Sequence, residues 1–278
     1  MEPDRLKTLV RARCEKKYKE QQPVLTDFTK TSFTAPVGIN HPNPEVVEHD
    51  VYTLGTQGPT VVIIQELPGI GPQTIDLAKR FQAAGFRVVL PHLFGPLGRI
   101  SMLGNTGRVF CMRREFKIMA KHESSPITDW LKALCRDQLD NHGSSAIGVI
   151  GMCLTGNFAI SMMADDAILA GVASQPSLPI GKHSHLHMSA AEISAARDRL
   201  TEHGPMLAMR FAGDKLCTAE KFSALDKAFN DDAERIRLLE LPGAGHSVLT
   251  LDFAKRAEVT EDAFTQVLDY FNSKLKEA

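Results

Sequence analysis

Short apolar segments alternate with amphipathic segments along the chain from about residue 60 to the C-terminus. Runs such as Thr60–Ile64 are rich in β-branched residues and end in turn-forming residues, which predicts buried strands. Segments such as Ala219–Phe229 are long enough for helices and carry apolar residues at helical spacing. The predicted strands are Thr60–Ile64, Phe86–Leu90, Ala146–Ile150, Ile168–Ser174, Met206–Ala212 and Arg235–Leu239. The predicted helices are Gln73–Ala84, Pro126–Leu139, Leu154–Ala164, Ala190–Glu202, Ala219–Phe229 and Thr260–Lys276.

Repeated alternation of strands and helices predicts an α/β fold with a mostly parallel central sheet and helices on both faces. Upstream of it, a segment rich in Thr, Pro, Gly and Asn predicts two antiparallel edge strands, Asp27–Pro36 and Val46–Leu54. Residues 1–22 are predicted to be a basic helix that ends before Pro23. We therefore expect an N-terminal helical extension over 1–22 and a single domain over 23–278. The long Gly-rich loop Pro91–Met112 is expected to be a lid or pocket wall.

Cys153 lies where the apolar run Ala146–Met152 meets a helix through a sharp turn. A nucleophile at a strand-to-helix turn is the nucleophile elbow of the α/β-hydrolase fold. Strand and helix pass close together there, so small residues are needed two positions away. Gly151 meets this requirement upstream, whereas Thr155 stands where glycine is more common. The alternative is a buried structural cysteine on a core strand.

A thiol nucleophile needs a base, and the base needs an orienting group. Asp214 follows the strand Met206–Ala212, and His246 ends the Gly-rich loop that follows Arg235–Leu239. Loops beyond the carboxyl ends of parallel strands meet at one edge of the sheet. The order nucleophile, acid, histidine is that of α/β-hydrolases. These residues predict a Cys153–His246–Asp214 triad, although each residue alone has an ordinary explanation as a turn or surface residue.

The loop after Thr60–Ile64 supplies two further candidates. In this fold that loop donates one oxyanion-hole amide, and the residue after the nucleophile donates the other, which here predicts Leu67 and Leu154. Glu66 precedes Leu67, and a carboxylate beside a thiol can accept its proton and set how much thiolate exists. The alternative for Glu66 is a solvated loop residue.

Several segments taken together resemble the dienelactone hydrolase family. The matching segments are Glu66–Ile70, Pro91–Phe94, Gly151–Gly156, Gly213–Asp214 and Gly243–His246. The resemblance implies a Cys153–His246–Asp214 triad with Glu66 controlling the thiol. It also implies that the resting cysteine is a thiol held near Glu66, which takes the proton when substrate binds.

The chain departs from this family where two arginines bind the carboxylate of dienelactone. The nearest arginine to the first position is Arg99, and the second position, four residues past His246, is Thr250. A planar guanidinium is not easily replaced. We therefore expect a neutral or differently anchored ester, lactone or thioester. Phe94, Arg99 and Arg113 are the candidate pocket residues.

Composition limits the other classes of function. The net charge of −1 gives no support for nucleic-acid binding, and no apolar run approaches the ~20 residues that cross a bilayer. Five scattered cysteines without a CxxC pair and a charged N-terminus without a signal pattern predict a reduced, cytoplasmic protein. His183, His185 and His187 alternate, but no acidic ligand lies between them, so we expect a solvated or pocket-lining loop and no metal.

The sequence therefore predicts a cofactor-free hydrolase of a small ester or lactone that acts through an acyl-cysteine intermediate. Its expected partner is a small-molecule substrate, with no nucleic acid or membrane, and its expected state is a monomer or small homo-oligomer. Two alternatives stay open. One is a hydrolase-like scaffold that binds a ligand without turnover, and the other is a thioesterase or acyltransferase that uses the same residues.

Overall fold

The protein is described here by a computed structural model that covers residues 25–39, 44–101, 104–107, 125–177 and 184–276. One eight-stranded sheet runs through it in the order β1-β2-β4-β3-β5-β6-β7-β8. The strands are β1 (Thr29–Val37), β2 (Glu45–Leu54), β3 (Thr60–Ile64), β4 (Arg87–His92), β5 (Ile147–Met152), β6 (Ala170–Ser174), β7 (Met206–Phe211) and β8 (Ile236–Leu241). The predicted N-terminal helix over 1–22 lies outside the described residues.

The main α-helices of the described part lie between these strands and after the last one. They are α1 (Pro72–Ala83), α2 (Ile127–Asp140), α3 (Gly156–Met162), α4 (Ala190–His203), α5 (Ala219–Phe229) and α6 (Ala257–Leu275). Strand β2 pairs antiparallel with β1 on one side and with β4 on the other. All other neighbours in the sheet pair parallel: β4 with β3, β3 with β5, β5 with β6, β6 with β7, and β7 with β8. The predicted mostly parallel sheet is confirmed, as is the antiparallel pair at its edge.

Helices cover both faces of the sheet, as predicted. Alternate residues of β3 explain how: Val62 and Ile64 join the apolar core beneath α2, α3, α4 and α5, while Val61 and Ile63 join the core beneath α1 and α6. Successive side chains of a strand point to opposite faces, so a strand between two layers of helices is apolar throughout. This explains why β3 and its neighbours are continuous hydrophobic runs.

The connection between β5 and α3 differs from the prediction. Instead of one helix over Leu154–Ala164, a 3₁₀ turn spans Cys153–Thr155 and the α-helix begins at Gly156. The crossing is tight because a Cβ at Gly151 would lie 2.0 Å from the carbonyl oxygen of Thr155. Only glycine fits at that position, and the chain therefore turns sharply just where Cys153 stands.

The described part of the predicted lid loop packs over the loop that follows β3. The amide of Gly98 donates to Ile70 O at 2.8 Å, and the amide of Ser101 donates to Pro68 O at 2.9 Å. The buried side chain of Asn105 also donates to Pro68 O, at 3.0 Å. This loop is thus a wall against the segment that carries Glu66 and Leu67.

Candidate active site

Cys153 occupies a strained position at the carboxyl end of β5. Its φ is +58°, in the left-handed region that residues other than glycine rarely adopt. Such strain persists only where surrounding structure enforces it, and it concentrates at functional sites. Behind it, a Cβ at Gly156 would lie 2.9 Å from Cα of Pro176, so the start of α3 is packed tightly as well. The side chain is buried, with 8% of the residue exposed.

His246 and Asp214 form a hydrogen-bonded pair beyond the ends of β8 and β7. His246 Nδ1 lies 2.7 Å from Asp214 Oδ2. The other carboxylate oxygen of Asp214 accepts from the amides of Leu216 at 2.8 Å and Cys217 at 3.0 Å. These contacts fix the carboxylate in place and aim its other oxygen at the imidazole. The pair that the sequence predicted is therefore present in the structure.

A second carboxylate, that of Asp252, fixes the backbone of the loop that carries His246. Asp252 Oδ2 accepts from the amides of His246 at 2.9 Å and Ser247 at 3.2 Å. Burial acts to raise the pKa of Asp252, but the hydrogen bonds from the amides of His246 and Ser247, together with Lys255, outweigh it and lower the pKa. The imidazole is thus oriented both through its ring and through its backbone.

The free nitrogen of His246 faces Cys153. Nε2 is buried and makes no regular hydrogen bond among the described residues. Burial lowers the pKa of His246, but the hydrogen bond with Asp214 and the interaction with the Cys153 sulfur outweigh it and raise the pKa to about 10. The sulfur is therefore close enough to act on the imidazole, although the two side chains do not form a regular hydrogen bond. This arrangement can accept a proton from a thiol and return it to a leaving group.

Glu66 is buried beside this pair, with 1% of the residue exposed. Its carboxylate accepts a hydrogen bond from Ser247 Oγ at 2.9 Å and another from Thr250 Oγ1. Burial raises the pKa of Glu66, and the hydrogen bonds from Thr250 and Ser247 act against that shift. The family resemblance implies that Glu66 is held near the thiol, but no hydrogen bond joins Glu66 to Cys153 among the described residues. The position expected to carry an arginine instead supplies a hydroxyl to Glu66.

Leu67 and Leu154 lie in the two segments predicted to supply oxyanion-hole amides. Leu154 follows Cys153 in the 3₁₀ turn, and Leu67 lies in a turn closed by the amide of Gly69, which donates to Glu66 O at 2.9 Å. Gln65 holds this turn against the next loop, since its side chain bonds Phe94 O at 2.9 Å and the Leu93 amide at 3.0 Å.

The candidate pocket residues have three different outcomes. The side chain of Phe94 is buried in the apolar core under α2 to α5. Arg99 is exposed on the loop that covers the β3 connection. Arg113 lies outside the described residues.

Three hydroxyl side chains of this site were not identified as site residues from the sequence. Ser177 Oγ lies 3.2 Å from Cys153 Sγ, and Ser247 and Thr250 bind Glu66. Ser247 and Thr250 lie close to His246 in the chain, which is a signal that could have been used. Ser177 lies in a loop 24 residues beyond Cys153, and no sequence pattern marks it.

Two of the three alternating histidines, His185 and His187, lie in the part of the chain that is described. No group of three or more His, Cys, Asp or Glu side chains is placed to hold a metal there. His187 is buried and its ring lies 6.5 Å from that of Phe158, while the carbonyl of His185 accepts from Lys221 at 2.8 Å. His183 lies outside the described residues. Of the two expected alternatives, a solvated or a pocket-lining loop, the solvated one is wrong for His187, whose ring is packed on a core phenylalanine.

Among the described helices, none combines the length and the hydrophobicity needed to span a membrane.

Comparison with known proteins identifies the family. No curated protein matches the chain. Solved structures match over most of its length: a candidate dienelactone hydrolase of Klebsiella pneumoniae subsp. pneumoniae MGH 78578 has 17% identity and a TM-score of 0.62, covering 87% of this chain and 98% of its own. An esterase of Pyrococcus furiosus has 14% identity and a TM-score of 0.61, covering 89% and 93%.

A dienelactone hydrolase-like promiscuous phosphotriesterase from metagenomic libraries has 16% identity and a TM-score of 0.57, covering 88% of this chain and 98% of its own. At such identities these likenesses show the α/β-hydrolase fold. The model of the dienelactone hydrolase family matches residues 50–275, which include β3 to β8 and every residue of the site described above. The chain therefore belongs to the dienelactone hydrolase family and is a carboxylic ester hydrolase.

Proposed function

We propose that this hydrolase cleaves a small ester or lactone through a covalent acyl-cysteine intermediate, with Cys153, His246 and Asp214 as its catalytic triad. The observation that supports this most is the geometry of His246, whose Nδ1 is bound to Asp214 at 2.7 Å while its Nε2 is unoccupied on the side of Cys153. This is the arrangement by which an orienting acid and a base activate a nucleophile.

The proposed reaction has two steps. His246 Nε2 accepts the thiol proton, and Cys153 Sγ forms a bond to the carbonyl carbon. The resulting oxyanion is stabilised by the amides of Leu67 and Leu154, each worth roughly 100- to 1,000-fold in rate by analogy with other oxyanion holes. The C–O bond to the alcohol breaks as His246 returns the proton to the leaving oxygen. His246 then activates water, which releases the acid and restores the thiol.

We propose that the substrate is not anchored like dienelactone itself. Thr250 stands where the family's second arginine is expected, and its hydroxyl is bound to the buried Glu66. An added carboxylate in the substrate would face this buried acidic side chain without a guanidinium nearby at that position. A neutral ester or lactone avoids the cost of burying an unpaired charge. This is the substrate class that we propose.

Turnover of p-nitrophenyl acetate by matched variants tests the triad. Cys153→Ala and His246→Ala should each lose about 1,000-fold or more in kcat/KM because they remove the nucleophile or its base. Asp214→Asn should lose about 100-fold or more because the imidazole loses its orienting charge. Cys135→Ala is the control, since Cys135 is a buried thiol of α2 that lies outside the site.

A pulse of the ester followed by mass analysis of peptides tests the intermediate. We expect one acetyl group on Cys153 in the wild type and none in Cys153→Ala, with Cys135 unmodified in both. Wild-type turnover in Cys153→Ala, or the acetyl group on another residue, would overturn the proposal.

A further inference from the structure

The Cys153 sulfur has a hydrogen-bonding neighbour without an assigned role. Ser177 Oγ lies 3.2 Å from Cys153 Sγ, and the Ser177 amide donates to the Cys153 carbonyl at 3.3 Å. Both residues are buried, each with 8% of the residue exposed. Ser177 is thus bound to the reactive residue through its side chain and its backbone.

The loop after β6 holds Ser177 rigidly. Gln175 has a φ of +39°, which turns the chain sharply, and its amide donates to Met209 O at 2.7 Å. The side-chain oxygen of Gln175 accepts from the Val248 amide at 3.4 Å, which connects this loop to the one that carries His246. Pro176 packs against Gly156 at the start of α3. The position of the Ser177 hydroxyl is therefore set by three neighbouring elements.

Glu66, the other group expected to contact the thiol, is occupied elsewhere. Its two carboxylate oxygens are bound to Ser247 and Thr250, and no hydrogen bond joins it to Cys153 among the described residues. To reach the sulfur, a fully buried carboxylate would have to give up both hydroxyls. The hydroxyl of Ser177, by contrast, already lies within hydrogen-bond distance of the sulfur.

The sulfur is surrounded by several titratable groups, and a neutral hydrogen-bond donor adds no charge to them. His246 faces it, with Asp214 bound to the other side of the imidazole and Glu66 in electrostatic range of His246. Cys217 is the other thiol in electrostatic range, and burial raises its pKa so that it stays protonated. A hydroxyl can donate to a thiolate without adding charge to this group, and a hydrogen bond to the charged form favours that form.

We infer that Ser177 is a catalytic residue of the enzyme: its hydroxyl donates a hydrogen bond to the Cys153 thiolate and so increases the ionised fraction of the nucleophile. This inference rests on the proposed function of Cys153. The bond matters most when the sulfur is charged, which is before its attack on the ester and again when it leaves the acyl intermediate. In the thioester the sulfur carries no charge, so the bond weakens there.

The rate of alkylation of Cys153 by iodoacetamide as a function of pH measures the ionised fraction directly. Peptide mass analysis follows Cys153 alone. Ser177→Ala should move the midpoint of this curve to higher pH by about one unit, which corresponds to the loss of one charge-assisted hydrogen bond. Turnover of p-nitrophenyl acetate near neutral pH should fall by about tenfold, following the thiolate fraction.

Three further variants make the test specific. Ser177→Thr keeps a hydroxyl and should hold the midpoint within about 0.3 units of the wild type. Ser161→Ala removes another buried hydroxyl, one that donates to Phe158 O at 3.1 Å within α3, and should leave the midpoint unchanged. Glu66→Gln probes the other group expected to act on the thiol and should shift the midpoint less than Ser177→Ala does.

The inference is overturned if Ser177→Ala titrates like the wild type or shifts to lower pH, or if Glu66→Gln shifts the midpoint more than Ser177→Ala does. Alkylation of Cys153 needs no turnover. A failure of the Ser177 inference is therefore seen in the alkylation curves, while a failure of the proposed function is seen in the turnover of Cys153→Ala.

Discussion

The carboxylate of Glu66 is buried and accepts hydrogen bonds from two hydroxyls, and these two features shift its pKa in opposite directions. Burial raises the pKa of Glu66 above its ordinary value of 4.5, while the hydroxyls of Thr250 and Ser247 act in the opposite direction without cancelling the effect. The folded protein therefore holds this proton to a higher pH than the unfolded chain does. Ionising Glu66 costs the fold stability, and that cost develops as the pH rises through 4.5 and is complete above the folded pKa.

Glu66→Gln should remove this cost because an amide keeps hydrogen bonds with the two hydroxyls without carrying charge. We expect the difference in unfolding free energy, variant minus wild type, to increase as the pH is raised from about 4 to neutrality. Urea denaturation at a series of pH values measures it. A difference that is constant over this range, or that shrinks as the pH rises, would contradict the assignment.

At the scale of elements, Thr155 joins the elbow to the strand that leads to Glu66 and Leu67. Its hydroxyl accepts a hydrogen bond from the Met152 amide at 2.9 Å. The same hydroxyl is placed to donate to two carbonyl oxygens, Ile64 O at 3.2 Å and Met152 O at 3.0 Å. Glycine, which is more common at this position, could not make these bonds. The residue that departs from the sequence pattern therefore ties the ends of β3 and β5 together.

Thr155→Val keeps the shape of the side chain and removes its hydroxyl. Because the Met152 amide is buried, we expect a loss of about 1–3 kcal/mol in unfolding free energy, measured by urea denaturation. Thr155→Ser retains the donor and acceptor and is the matched control, which should lie closer to the wild type. Equal stability of Thr155→Val and the wild type would show that these hydrogen bonds contribute nothing.

Element boundaries show where sequence patterns suffice. Strand β3 and helix α5 begin and end at the predicted residues, because both are bounded by abrupt changes in polarity. β8 was predicted over Arg235–Leu239 but spans Ile236–Leu241, since it is an edge strand with mixed burial. Helix α6 begins at Ala257 rather than Thr260, because a 3₁₀ turn over Ala254–Arg256 leads into it.

At the scale of the whole molecule, the sheet separates two apolar cores, one beneath each layer of helices. Phe271 of α6 is fully buried in one core, with its ring 5.8 Å from that of Phe81. Trp130 of α2, the only tryptophan of the chain, is fully buried in the other and packs on Phe33 at 5.4 Å. Trp130 fluorescence therefore reports on one face of the sheet while substitutions at Phe271 disturb the other.

Phe271→Ala should cost about 3–5 kcal/mol by opening a cavity beneath α6. If residues 23–278 unfold as one domain, the transition seen by tryptophan fluorescence should move as far as the one seen by far-UV circular dichroism. Ser273→Ala, at an exposed position of the same helix, should change stability by no more than about 0.5 kcal/mol. A fluorescence transition that stays in place would mean that the two faces unfold independently.

Periodicity and turn residues alone predicted the α/β class, the parallel sheet and the placement of Cys153, Asp214 and His246 at strand ends, because each of these depends on short stretches of chain. Only the tertiary structure decided which side chains meet across the site. Ser247 and Thr250 reach Glu66 across 181 and 184 residues of chain, and Ser177 reaches Cys153 from a loop set by the strained Gln175. Such contacts depend on the packing of whole elements. A hydroxyl in a loop belongs to no periodic pattern, so the sequence alone does not predict its contacts.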